Sequence, residues 1–259
     1  MIDFNEISTL LFDLDNTLIL FDEQAFIPVY GKQVHAYFIE EIPSYEVFMK
    51  LFLQSTHSML QKVPQGFTNN EKFAANFAPK VNLSEEEIWK RFIHFYENGF
   101  DKLKDIIKTA PKAQELLLFA SKHFDNIVAA TNPLFPAIAN EKRLEWGGIS
   151  SAIIPWLEIT SADNYYYAKP HLEYYEELLK NINKTPSECL MVGNDEVNDM
   201  VAGQLGIQTF LIKSEETEFT KIIRTNLDDA ANNFPFDDSG SLEEFYGNVR
   251  EFIETRNII

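Results

Sequence analysis

From Pro111 onward, short runs of β-branched and large apolar residues alternate with amphipathic stretches, and this alternation leaves the chain very few architectures. The runs NIVAAT (126–131), ECLMVG (188–193) and IQTFLI (207–212) are too short for helices and lack polar alternation, as expected of strands buried on both faces. Helical patterning separates them. AQELLLFASKHF precedes the first run, and residues 134–146 follow it up to Gly147-Gly148. After the short apolar stretch SAIIP, HLEYYEELLKNI leads into the second run and about Glu196 to Leu205 into the third. Near the start of the chain, STLLFD (8–13) reads as another buried strand and runs straight into DLDNT. Strands alternating with helices predict a parallel sheet covered on both faces.

Residues 23–106 have a different texture. EQAFIPVYGKQVHAYFIEEI, SYEVFMKLFLQSTHSMLQK, NEKFAANFA and SEEEIWKRFIHFYENGF carry apolar residues at three- and four-residue steps, separated by IPS, PQGFTN and APKVNLS. Ser84 followed by Glu87 predicts a capping box at the start of the last helix. This helical block reads as an insertion between the first strand and the rest. At the other end, Leu242, Phe245, Tyr246, Val249, Phe252 and Ile253 share one helical stripe, which predicts a helix packed back on the sheet, with a dimer contact as the alternative.

A chain of 259 residues, 45% apolar, is large enough for a substantial core with a second module. Its formal charge of −18, with no Lys/Arg block, argues against a nucleic-acid partner, because the long-range field repels phosphate. Any anionic ligand must then be held by a local site. No apolar run approaches the ~18 residues of a membrane span, and the N-terminus is acidic, so a soluble, cytoplasmic protein is expected. The N-x-S/T matches at Asn82 and Asn183 then carry no weight. Cys189, the single cysteine, lies in an apolar run and reads as a small buried hydrophobe. None of the five histidines has metal-ligand spacing to another.

In an open parallel α/β sheet, ligands bind at the carboxyl ends of the strands, near the point where strand order reverses. The first strand ends in Asp13-Leu14-Asp15-Asn16-Thr17, and strand alternation would turn Asp13 and Asp15 to the same face. The second ends in Thr131-Asn132. The next ends in Gly193-Asn194-Asp195, with Asp199 one helical turn later, and Lys169 stands before Pro170 at the start of a helix. Carboxylates from separate strand ends can meet as anions only around a cation, and an all-oxygen donor set favours Mg²⁺. The Thr131 hydroxyl, nearby backbone amides and the Lys169 ammonium suit a phosphoryl group.

These motifs resemble those of the haloacid dehalogenase-like superfamily: LLFDLDNTL the first, VAATN the second, AKP the third and VGNDEVND the fourth. The resemblance covers about 1–20 and 107–259. It implies an α/β fold with a Rossmann-like, doubly wound parallel sheet as catalytic core (1–19 and 107–259), and a mobile helical cap (20–106) that closes over the substrate and excludes water. It further implies that Asp13 is the nucleophile, forming an aspartyl-phosphate, and that Asp15 is the general acid/base, its backbone carbonyl on the metal. By the same resemblance Thr131, Asn132 and Lys169 bind the phosphoryl group, and Asp13, Asp15 and Asp195 hold Mg²⁺. In the fourth motif Asn194 follows the glycine where an acid is commonest. The spacing to Asp199 fits either Asn194 or Asp195 as ligand, and a carboxylate favours Asp195.

The expected activity is therefore Mg²⁺-dependent hydrolysis of a small phosphorylated metabolite by a monomer or homodimer. A dehalogenase has no leaving alcohol to protonate and no need of Asp15. Within the resembled superfamily, a phosphomutase shares the acid pair but usually has a small apolar residue where Thr17 stands. A noncatalytic phosphate-binding or scaffold protein would be free to lose Asp13, Asp15 or Lys169, and all three are present.

Overall fold

In the computed structural model, which describes residues 2–21, 23–62, 66–213 and 234–256, a six-stranded parallel sheet forms around the first strand. The strands of this sheet are β1 (Thr9–Phe12), β4 (Asn126–Ala129), β5 (Trp156–Ile159), β6 (Cys189–Gly193), β7 (Gln208–Ile212) and β8 (Asp238–Gly240), arranged β5-β4-β1-β6-β7-β8. β1 pairs in parallel with β4 on one side and β6 on the other, Leu11 lying opposite both Val128 and Met191. The chain builds outward from β1 first toward β5 and then toward β8, so strand order reverses between β4 and β6. The expected doubly wound α/β core is therefore present, with the switch point beside the end of β1.

Every residue of β1 and β6 is buried, which explains their unbroken apolar sequences. Helices α5 (Ala113–Ala120), α6 (Ala137–Trp146), α7 (Leu172–Ile182) and α8 (Leu242–Arg256) flank the sheet. The stripe read from the tail does cover it: Leu242, Phe245, Val249 and Ile253 are buried. The Phe245 ring lies 4.8 Å from Phe210 and 6.1 Å from Phe12. Among the described residues no helix is long and apolar enough to cross a membrane.

Several local expectations need correction. The helix expected from Glu196 to Leu205 is a turn followed by a 3₁₀ helix at Met200–Leu205. Here the Asp195 carboxylate accepts the amides of Val197 and Asn198 at 2.8 and 2.9 Å, an alternative to regular helical bonding. β5 and β8 have no strand signature in the sequence. β5 is only partly buried, and β8 is the tripeptide DSG, whose strand geometry comes from pairing with β7.

The helical block lies between β2 (Ile19–Phe21) and β3 (Ile107–Thr109), which pair antiparallel and bring its two ends together. It contains α1 (Glu23–His35), α2 (Tyr45–Met59), α3 (Asn69–Val81) and α4 (Glu85–Asn98). α1 stops earlier than its apolar pattern, and the His35 ring meets the Ile42 carbonyl at 2.7 Å to close the turn that follows. α3 instead runs through Pro79 to Val81, extending the buried stripe of Phe73, Phe77 and Ala78, and ends where Asn82 turns left-handed at φ 55°. The block has an aromatic core of its own, with Phe38, Phe48, Phe77 and Phe92 all buried. The capping box read at Ser84 and Glu87 is formed.

A second capping box, Thr68 with Glu71, opens α3 at the place where the block meets the sheet-bearing half. The amides of Asn69 and Asn70 donate to the carbonyls of Tyr165 and Ala162 at 2.8 and 2.9 Å, and Asn69 Nδ2 reaches the Pro133 carbonyl at 3.1 Å. Thr68→Ala is expected to cost about 1 kcal/mol, the usual loss of an N-cap. Urea titration measures this, and an unchanged midpoint would show that the docked asparagines hold the helix start without the cap.

Candidate active site

Asp13 directly follows β1, and its amide donates to the Val192 carbonyl at 2.9 Å, so the side chain stands at the carboxyl edge of the two central strands. Lys169 lies in the loop before α7. Its Nζ donates to Asp13 Oδ1 at 2.9 Å and to Asp199 Oδ1 at 2.6 Å. Lys169 and Asp199 are each 1% exposed and Asp13 8%. A lysine ammonium tolerates such burial because two carboxylates share it and the Tyr174 ring lies 5.9 Å below.

The loop after β4 completes this side of the site. Asn132 Oδ1 accepts the backbone N–H of Lys169 at 3.2 Å, so Asn132 acts on the lysine's placement rather than on its charge. Thr131 is buried, and its carbonyl accepts from Thr160 Oγ1 at 2.6 Å and from the Tyr174 hydroxyl at 3.1 Å. These bonds hold the loop against β5 and α7. Four of the residues singled out in the sequence, Asp13, Thr131, Asn132 and Lys169, thus meet around the switch point.

Asp15 behaves differently from the strand-alternation reading. Strand pairing ends at Phe12, and the Leu14 carbonyl accepts the amides of Thr17, Leu18 and Ile19 in a tight turn. The two carboxylates then find separate cations. Asp13 takes Lys169, while both oxygens of Asp15 accept from Arg143 Nη1, at 2.6 and 2.8 Å. Asp15 is still close enough for its charge to act on Asp13.

In the fourth motif the three candidates separate. Asp199 is brought to Lys169. Thr17 Oγ1 donates to Asn194 Oδ1 at 3.1 Å, linking the first and fourth motifs. Asp195 turns toward its own loop, where its second oxygen accepts from Asn198 Nδ2 at 3.1 Å. Gly193 is required here, since a Cβ would lie 2.2 Å from Asp199 Oδ2.

The charges at this cluster oppose one another. Burial pushes the Asp13 carboxyl up to about 7 against the pull of Lys169, helped by the charges of Asp199 and Asp15. Burial likewise raises Asp199. It acts to lower Lys169, but Asp13 and Asp199 together outweigh it and hold the ammonium well above the usual lysine range.

Among the described residues no three His, Cys, Asp or Glu side chains converge as a ready metal cage. Mg²⁺ does not need one, since it commonly takes one or two carboxylates and completes its shell with water and phosphate oxygens. The donor set is hard and all-oxygen: the Asp13 and Asp199 carboxylates, the Asn194 amide oxygen and the carbonyls of the turn after β1. The carboxylates of Asp13, Asp15, Asp195 and Asp199 outnumber the cations Lys169 and Arg143. A divalent cation fits that excess negative charge.

Arg143 belongs to the site although no motif of the sequence includes it. It falls on the buried stripe of α6 with Ala139, Asn140 and Leu144, where a charged residue needs a partner.

A family model described as haloacid dehalogenase-like hydrolase matches residues 7–206. No curated protein matches the chain. Among solved structures, a predicted phosphoglycolate phosphatase from Haemophilus somnus 129PT is similar at TM-score 0.52 and 14% identity, over 97% of this chain and 100% of that one. A defluorinating L-2-haloacid dehalogenase is similar at TM-score 0.53 and 14% identity, over 94% and 95% of the two chains. A protein from Thermotoga maritima assigned as a β-phosphoglucomutase is similar at TM-score 0.53 and 16% identity, over 95% and 99%. At these identities the likeness is one of fold. The chemistry has to be read from the residues of the site.

Proposed function

The chain belongs to the haloacid dehalogenase-like hydrolases, and from that premise we propose that it is a Mg²⁺-dependent phosphatase acting on small phosphate monoesters. The observation that carries this reading is Asp15, a second carboxylate beside the buried Asp13–Lys169–Asp199 cluster. Displacing a halide needs no proton for the leaving group, whereas displacing an alkoxide does.

In the proposed reaction an Asp13 oxygen attacks phosphorus, and the ester P–O bond breaks to leave an aspartyl-phosphate. Asp15 gives a proton to the departing alcohol, then takes one from the water that releases phosphate. Lys169 keeps the nucleophile's neighbourhood from accumulating charge as the phosphoryl group arrives. The Thr131 hydroxyl and the amides after β4 are the proposed phosphoryl donors. Asp13, the Asp15 carbonyl and the fourth-motif oxygens of Asn194 and Asp199 would hold Mg²⁺, whose charge would screen the phosphoryl oxygens. Asp195 is the weaker candidate, its carboxylate being engaged with Val197 and Asn198. The helical block, with its ends joined at the β2–β3 ribbon, is proposed to act as a cap over this site.

The test is release of phosphate from p-nitrophenyl phosphate and from a panel of phosphorylated metabolites, with Mg²⁺ and with chelator. The expected result is phosphate release that requires Mg²⁺ and stops on chelation. Halide release from 2-haloacids without phosphate release would overturn the reading. Conversion of a sugar phosphate to its isomer would make the protein a mutase.

A further inference from the structure

Arg143 is among the most deeply buried charged residues of the molecule, at 1% exposure, yet its partner Asp15 is 30% exposed at the side chain. The guanidinium lies 4.4 Å over the Phe135 ring, and its Nε has no hydrogen-bond partner among the described residues. Desolvating a guanidinium and leaving one N–H unsatisfied is costly, and an apolar residue on this buried stripe of α6 would avoid that cost. Stability alone does not account for an arginine here.

What Arg143 does is hold Asp15 from a rigid helix. Nη1 donates to both Asp15 oxygens, and Nη2 donates to Asn140 Oδ1 at 2.6 Å, one turn earlier on α6. Asn140 Nδ2 donates to the Thr160 carbonyl at 2.9 Å, and Thr160 Oγ1 donates to the Thr131 carbonyl at 2.6 Å. A continuous run of hydrogen bonds, part-buried at Asp15 and buried from Arg143 onward, therefore connects the Asp15 carboxylate to the loop after β4. Without it, Asp15 would be a half-exposed side chain on a turn, free to rotate.

We infer that Arg143 is a positioning residue for the hydrolysis: through Asn140 and Thr160 it fixes the Asp15 carboxylate relative to the Thr131 loop, so that the base that takes a proton from water and the phosphoryl group meet in one geometry. The inference rests on the phosphatase reading above. It places the Arg143 effect on turnover rather than on substrate binding, and makes that effect depend on Asp15.

The test is a double-mutant cycle on p-nitrophenyl phosphate with Mg²⁺, whose turnover still needs Asp15 to activate water. Arg143→Met is expected to lower kcat by about 10- to 100-fold, the scale of a misplaced catalytic group, with KM changed less than about threefold. Arg143→Lys, which keeps the charge but cannot span Asp15 and Asn140 together, should recover part of the loss. In an Asp15→Asn background, Arg143→Met should cost less than about twofold, because the group it positions is already gone. Equal losses in both backgrounds, or a raised KM at unchanged kcat, would overturn the role. Should Arg143→Met fail to fold, the Arg143→Lys cycle decides on the same criterion. A wild type inert toward phosphate esters overturns the phosphatase reading and this role together. An active wild type with additive losses overturns the role alone.

Discussion

Asp13→Asn is expected to lower phosphate-ester turnover by at least about 10⁴-fold, the scale on which removal of a single nucleophile acts, while leaving the metal-free protein no less stable. The first half follows from chemistry. An uncharged amide oxygen is a poor nucleophile, and every later step passes through the bond it fails to make. The second half follows from burial. The Asp13 carboxyl is pushed from its ordinary value near 3.8 up to about 7, chiefly by loss of solvent. A carboxyl raised in the folded state binds its proton more tightly there than in the unfolded chain, so its ionisation costs stability as pH rises through that interval. The asparagine variant escapes this cost, and Lys169 keeps Asp199 as its partner. Steady-state assay with Mg²⁺ and thermal unfolding at pH 8 in chelator check the two halves. Turnover retained within tenfold would remove Asp13 from its role, and a lowered midpoint would show that the Asp13–Lys169 contact outweighs the desolvation it opposes.

The second large effect is expected at Lys169. Lys169→Met removes the cation that Asp13 and Asp199 share in a largely buried cluster. Taking one partner from a buried ion pair typically costs about 3–5 kcal/mol, because the remaining charge is left without compensation. Urea unfolding of the metal-free protein at pH 7 should show a loss of that order. The loss should shrink toward pH 5. With the ammonium gone, both carboxyls are raised further above their unfolded values, the folded state binds more protons than the unfolded one, and acidification favours it. A loss under about 1 kcal/mol, the size of an exposed ion pair, or one that does not vary with pH, would contradict the buried geometry.

The first, second and fourth motifs are legible because a parallel α/β sheet collects its functional groups at strand ends, and strand ends can be read from apolar runs. β1, β4, β6 and β7 each announce themselves that way, as does the stripe of α8 led by Leu242 and Phe245. β8 does not, since three residues reading DSG have no strand character until β7 offers its edge. The same holds for the 3₁₀ helix at Met200–Leu205, where the Asp195 side chain competes for the amides a regular helix would use.

By itself the sequence determined the four central strands β1, β4, β6 and β7 with most of the helices around them, the aspartates of the first motif, and the lysine at the head of α7, because residue type and period along the chain decide those. Tertiary structure alone decided how the charges are shared. It sends Lys169 to both Asp13 and Asp199, turns Asp195 into its own loop, and ties Asp15 to an arginine 128 positions away. Hydrogen-bond partners depend on which side chains burial brings within about 3 Å, and residues so far apart in the chain acquire that proximity only when the sheet and its flanking helices have packed.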